Sequence, residues 1–108
     1  MLKKFYLYHM EKGGAVYIMT NKTHSTLYVG VTSDLYTRVY QHKTNFYSKS
    51  FTSKYNCHKL VYFEAFHSIE EAISREKQIK GGSGKKKIDL VKSINADWKD
   101  LFDDIKEW

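Results

Sequence analysis

Five side chains in this sequence are of the types that can cut a phosphodiester: Tyr17, Tyr28, Arg38, His42 and Glu76. Hydrolysis of that linkage proceeds by in-line attack of water. It needs a group to orient or deprotonate the water, a cation near the phosphate, and stabilisation of charge on five-coordinate phosphorus. Arginine meets phosphate oxygens with a planar fork. Histidine or an activated tyrosine can move the proton. A carboxylate is the ligand that a hard divalent ion prefers.

These residues need elements that bring them together. Residues 15–20 and 26–31 alternate and are rich in β-formers, with polar turn material at residues 21–25 between them, which predicts an antiparallel hairpin. For Tyr17 and Tyr28 to share a face, paired residues must have an odd index sum. Tyr17 opposite Tyr28 is one such register, and it leaves residues 21–24 as a four-residue loop. Thr32, Ser33 and Asp34 then offer N-caps for a helix over residues 35–43. Leu35, Arg38, Val39 and His42 fall on one face of that helix, so the arginine and histidine lie in line with its apolar anchors.

Residues 44–56 are polar and aromatic without a period and read as a loop. Phe46, Tyr47, Phe51 and Tyr55, mixed with Lys49 and Lys54, either stack on bases or cover a small core; the second reading is the commoner use of such rings. Residues 58–66 read as the third strand. Residues 68–80 read as a helix opened by the capping box Ser68-x-x-Glu71. Its stripe of Ile69, Ala72, Ile73, Glu76 and Ile79 includes a carboxylate. A buried carboxylate must be paired, hydrogen-bonded or metal-bound, or it becomes neutral. The bland alternative is a stripe-edge glutamate paired with Lys77 or Lys80. Residues 81–84 form a glycine-rich connector. Lys85, Lys86 and Lys87 open a further helix, where positive charge opposes the macrodipole. That arrangement suits lysines facing phosphates, or simply a solvated charge run. A last helix is expected over residues 98–108, with Trp98, Leu101, Phe102 and Ile105 available to pack back.

Composition bounds the class. The 108 residues make one ordinary domain, 42% hydrophobic and 28% charged, with no proline. No apolar run of ~18 residues is present, so no membrane span is expected. The N-terminal segment is too short in apolar residues for a signal peptide, and Met10 is a candidate start. A single cysteine, Cys57, excludes an internal disulfide and fits a reducing cytoplasm. The net charge of +6 is uneven, with +5 across residues 72–94 and −3 across residues 95–108. A basic body with an acidic end suits a polyanion bound away from the C-terminus.

The ordered set of residues resembles the GIY-YIG endonuclease superfamily. Ala15-Val16-Tyr17 corresponds to the first motif and Tyr28-Val29-Gly30 to the second, with ten residues between the tyrosines. Arg38 matches the helical arginine, His42 the histidine of some members one turn later, and Glu76 the metal-binding glutamate. The resemblance spans residues 13–92 and is nearest to small single-domain bacterial members related to the UvrC nuclease domain. Ala15 departs from the usual glycine, and Gln78 stands nearest to the family's asparagine.

The resemblance implies an α/β (α+β) fold, a small three-stranded antiparallel sheet flanked by helices. Residues 1–12 would be an N-terminal extension, 13–94 the nuclease domain, and 95–108 a packing helix. It implies metal-dependent hydrolysis of DNA, in repair or recombination, with no membrane involved. Glu76 would hold Mg²⁺ or Mn²⁺, Tyr17 or His42 would be the general base, Tyr28 would position water or phosphate, and Arg38 would brace the phosphate. Lys43, Lys85, Lys86 and Lys87 are candidates for tracking the backbone. The rival reading is a non-catalytic nucleic-acid-binding module that kept the fold. A protein-interaction module using residues 98–108 ranks third.

Overall fold

The computed structural model describes residues 13–105, so the expected extension at 1–12 and the end of the expected C-terminal helix at 106–108 lie outside the described residues. Strands β1 (Gly14–Thr20), β2 (Leu27–Thr32) and β3 (Lys59–Phe66) form an antiparallel sheet in the order β2-β1-β3. Helices α1 (Leu35–Lys43) and α2 (Phe51–Lys54) lie between β2 and β3. Helices α3 (Ile69–Lys80), α4 (Gly84–Ile94) and α5 (Phe102–Ile105) follow β3. The expected sheet and its flanking helices are therefore present.

Every residue of β1 is buried. Ala15, Tyr17 and Met19 pack with Leu35 and Val39 of α1, and with Cys57, Leu60 and Ile105. Val16 and Ile18 face the other way, onto Ala72 and Ile79 of α3 and Val91 of α4. Apolar residues run through β1 because both of its faces are covered.

The hairpin register differs from the one proposed above. Tyr17 lies opposite Gly30, and Met19 lies opposite Tyr28. The index sum stays odd, so the tyrosines share a face, but the connection is six residues, 21–26. Two contacts account for the shift. The Asn21 carboxamide oxygen accepts from the N–H of Ser25 (2.9 Å) and of Thr26 (3.2 Å), which organises a wider turn. The Tyr17 ring lies directly over Gly30, where an added Cβ would sit 2.4 Å from Cζ and from the hydroxyl oxygen. Only glycine leaves room for that ring.

Between β1 and β3 the register slips by one residue after Ile18, with Tyr62 opposite Ile18 and Leu60 opposite Met19. Val61 is the extra residue of a bulge. It joins Tyr62 on the α3/α4 side, while Leu60 remains on the Tyr17 side.

The free edge of β3 is covered by the C-terminal segment. Leu101 N–H donates to the Leu60 carbonyl (2.7 Å), Asp100 accepts from the Leu60 N–H (3.2 Å), and the Asn95 side chain donates to the Val61 carbonyl (3.0 Å). This protects an edge that would otherwise be open to pairing. Within the described residues the segment is less helical than expected: residues 98–101 lie outside α5, and Trp98 is in the left-handed region at φ 56. Its ring stacks on His24 of the hairpin loop at 4.4 Å. Trp98 and Ile105 thus pack inward, which removes two of the anchors of the interaction-module reading. Residues 44–56 also depart from a plain loop, because Ser50 caps α2 by accepting from the Ser53 N–H.

Gly30→Ala is expected to destabilise the fold by about 1–3 kcal/mol, the usual cost of overpacking. Urea unfolding at neutral pH measures it. A change within about 0.5 kcal/mol, the range of an inconsequential surface substitution, would show that the Tyr17 ring does not need this space.

Candidate active site

The site grows from the Tyr17 side of the sheet. Asp34 caps α1 by accepting from the Thr37 N–H (3.2 Å), and Leu35 and Val39 anchor the helix in the core. That anchoring turns His42, one turn beyond Arg38, down onto Tyr17. The Tyr17 hydroxyl lies 2.8 Å from His42 Nε2, and His42 Nδ1 lies 2.8 Å from Thr52 Oγ1. Thr52 is fully buried on α2, and its hydroxyl is 3.1 Å from that of Ser50. Tyr28 closes the group, with its ring 6.2 Å from Tyr17 and 5.5 Å from His42.

Burial sets the proton affinities. It is the main cause that pushes the Tyr17 phenol well above the ordinary tyrosine range, with Tyr28 adding to the rise. The Arg38 guanidinium, engaging the same phenol by charge and hydrogen bonding, pulls the other way. Burial, helped by the Arg38 charge, lowers His42 to about 4. At neutral pH the phenol is therefore protonated and the imidazole neutral. A neutral imidazole has one N–H and one lone pair, so its two bonds run in opposite senses. Either Tyr17 donates to Nε2 and Nδ1–H donates to Thr52, or both bonds reverse.

Glu76 comes from the other layer of helices. It lies on α3, which packs on the opposite face of the sheet, and its carboxylate pairs with Lys80 at 2.7 Å. Its side chain is only 13% exposed, against 53% for the lysine. The structure thus combines the two alternatives above: the carboxylate is mostly buried, and it is paired within its own helix. Among the described residues no group of three histidine, cysteine or acidic side chains could hold a metal ion. A single carboxylate suits Mg²⁺, which usually keeps several waters and takes further ligands from substrate phosphates.

A sequence model of the GIY-YIG catalytic domain matches residues 13–89. The chain belongs to the GIY-YIG family. It is 34% identical over 67 residues to a UPF0213 protein of Syntrophus aciditrophicus (strain SB), covering 62% of this chain and 77% of that one. Its fold is similar to the NMR structure of a UPF0213 protein from Bacillus halodurans, at 30% identity and a TM-score of 0.52. That similarity covers 82% of this chain and 92% of the other. Neither relative's name states an activity, so the chemistry must be argued from the residues.

In family terms, the glycine of the second motif makes room for the tyrosine of the first. Ala15, at the usual glycine of the first motif, places its methyl in the core without exposure. The tight positions are the two glycines before it: a Cβ at Gly13 would sit 2.1 Å from the Phe66 carbonyl oxygen, and one at Gly14 would come within 2.8 Å of Ile69 Cδ1.

The lysines proposed for the backbone divide. Lys43 pairs with Asp100 and lies over the Phe102 ring. Lys85 pairs with Asp89 in its own helix. Lys86 and Lys87 line a cleft of about 470 Å³ between α3 and α4, together with Arg75 and Lys77. Cys57 is buried and its thiol is pushed up by burial, which does not suit a nucleophile. The sequence reading missed Thr52. The available signal was weak: a polar residue among aromatics, ten positions beyond His42.

Because His42 falls from 6.5 to about 4 on folding, the unfolded chain binds more protons between those values. The stabilisation is complete above pH 6.5 and is lost as the pH falls toward 4. At ~1.4 kcal/mol per unit, the loss is up to about 3 kcal/mol. Denaturant unfolding of wild type and His42→Gln over this range should show a shallower slope in the variant. Parallel slopes would contradict the burial of a neutral imidazole.

Proposed function

We propose that this chain is a divalent-metal-dependent endonuclease that hydrolyses phosphodiester bonds in DNA. The hydrogen-bonded Tyr17–His42–Thr52 chain beside Arg38 carries the reading, because it places a proton acceptor behind a phenol and next to a phosphate-binding cation.

Arg38 is exposed and sits against the Tyr17 hydroxyl. It can engage a phosphate from solvent and bring it to the buried pair. Tyr28, half-buried and in ring contact with both Tyr17 and His42, borders the position of the attacking water. Water attacks phosphorus and gives its proton to the Tyr17 oxygen as the Tyr17 proton passes to His42 Nε2. The P–O bond to the leaving oxygen breaks, and that oxygen takes a proton from solvent. In this account His42 is the terminal base and Tyr17 the relay. An unassisted Tyr17 would have to ionise at a pH far above neutrality. Thr52 accepts from Nδ1–H, and so keeps Nε2 free as the acceptor.

Glu76 would hold the metal, leaving the Lys80 pair when it does so. When bound, a hard divalent ion supplies positive charge to the phosphate oxygens. The rival reading is a module that binds nucleic acid without cutting it; the Glu76–Lys80 pair, which metal binding would have to break, favours it. A role in repair or recombination, and a place in the cytoplasm on the strength of the one free, buried cysteine, belong to this proposal.

The test is cleavage of labelled single-stranded, duplex, flapped and branched DNAs with Mg²⁺, Mn²⁺ or EDTA. Arg38→Ala, Tyr17→Phe and Glu76→Ala should each lower the rate by about 100-fold or more, the usual weight of a charge-stabilising or proton-transfer group. Retained cleavage in a pure, folded Glu76→Ala sample would sink the metal-dependent reading. Salt-sensitive binding that ignores Mg²⁺ and gives no products would favour the binding module.

A further inference from the structure

The expectation that the aromatics of residues 44–56 are half-buried covers of the core fits Phe51 and Tyr55 better than Phe46 and Tyr47. Phe46 is 65% exposed, Tyr47 55%, Phe51 46% and Tyr55 42%. Phe51 and Tyr55 continue the ring group around Tyr17 outward. From Tyr17 the contacts run to Tyr28 at 6.2 Å, to Phe51 at 5.8 Å and to Tyr55 at 4.7 Å. Phe46 and Tyr47 form a second, edge-on pair at 4.9 Å. Tyr55 then borders a groove of about 590 Å³ at the end of the sheet, lined also by Lys22, Lys43, Lys59 and Asn21.

The charge along this row is of one sign. Between Asp34 and Glu64 the sequence has no acidic residue, while Arg38, Lys43, Lys49, Lys54 and Lys59 fall within it. Lys54 lies over the Tyr55 ring at 5.6 Å. In the groove, Asp100 from the C-terminal segment offsets Lys43.

We infer that this surface holds an unpaired nucleic-acid strand, with bases against Phe46, Tyr47, Phe51 and Tyr55 and phosphates against Lys49, Lys54 and the lysines of the groove. A duplex hides the faces of its bases and offers a protein surface mainly phosphates, so a duplex site needs cations and makes no use of exposed rings. A single strand uses both, because every base has a face to stack. Solvent-exposed rings beside Lys49 and Lys54, neither of them near an acidic residue in the sequence, match the second pattern. The inference rests on the nuclease reading only in placing the scissile phosphate at the inner end of the row. It names the class of substrate that site would receive.

The experiment is fluorescence anisotropy in EDTA, with oligothymidylate of about 15 nucleotides, the matching oligouridylate, and a blunt duplex of equal length. Wild type should bind at least one of the single strands about tenfold more tightly than the duplex, and the two single strands show whether the sugar matters. Phe46→Ala/Tyr47→Ala alters exposed rings outside the catalytic group. It should weaken single-strand binding by about tenfold and change duplex binding by less than about twofold. Lys49→Ala/Lys54→Ala, a second variant, should weaken single-strand binding and flatten its dependence on salt. Equal or tighter duplex binding, or unchanged single-strand binding in a folded Phe46→Ala/Tyr47→Ala protein, would overturn the inference. Single-strand preference without cleavage in Mg²⁺ or Mn²⁺ would remove the nuclease reading and leave this one. Cleavage without strand preference would do the reverse.

Discussion

A phenol hydroxyl in the middle of a fully covered strand is the constraint on which this structure depends. Tyr17 has no exposure to water, and a buried hydroxyl without a partner costs on the order of 1–3 kcal/mol. His42 supplies that partner and is itself buried, so it needs one in turn; Thr52 supplies it, with Ser50 behind. Each link lies on a different element, from β1 to α1 to α2. The polar chain therefore fixes how the two helices sit on the sheet, and the same bonds hold the reactive groups in place. The interactions that stabilise the fold here are the ones the chemistry would use.

The rest of the molecule keeps that chain dry and rigid. Helices α3 and α4 cover the far face of β1, so the sheet behind Tyr17 is packed on both sides. The Val61 bulge lets β3 serve two cores at once, sending Val61 and Tyr62 to one and Leu60 to the other. The C-terminal segment closes the outer edge of β3, and Trp98 ties that segment to the hairpin through His24. A tryptophan at φ 56 is an uncommon conformation for a bulky residue, and the ring stack over-determines it. Exposure rises outward from the Tyr17 group, from His42 at 8% to Phe46 at 65%.

Much of this was legible in the sequence because periodicity and capping are local. The N-cap at Ser68, an N-cap among residues 32–34, and the shared face of Arg38 and His42 follow from spacing alone, whereas one side for both tyrosines was the condition that selected an odd parity. The register within that parity did not follow, since it depends on a side-chain turn at Asn21 and on the Tyr17 ring needing a glycine across the ladder. Thr52 was not legible because its partner is ten residues away, across a segment with no period. The exposure of Phe46, Tyr47, Phe51 and Tyr55 was not legible either, because the same residue types serve as core covers and as stacking surfaces. Glu76 was legible as a carboxylate on an apolar stripe. That it is both mostly buried and paired with Lys80 was not, since spacing alone does not tell a stripe-edge position from an inward one.

The most direct test of the account is the protonation state of His42 in the free protein, read from ring nitrogen shifts in a long-range ¹H–¹⁵N spectrum across a pH titration. The account predicts a neutral ring with the proton on Nδ1 and a bare Nε2 facing Tyr17, persisting as the pH falls until about 4. A ring that protonates near the ordinary histidine value of ~6.5, or that carries its neutral-state proton on Nε2, would contradict it. The first result would show that the imidazole is not held neutral by burial; the second would leave Tyr17 facing an N–H instead of a base, and the proton relay would have to be abandoned.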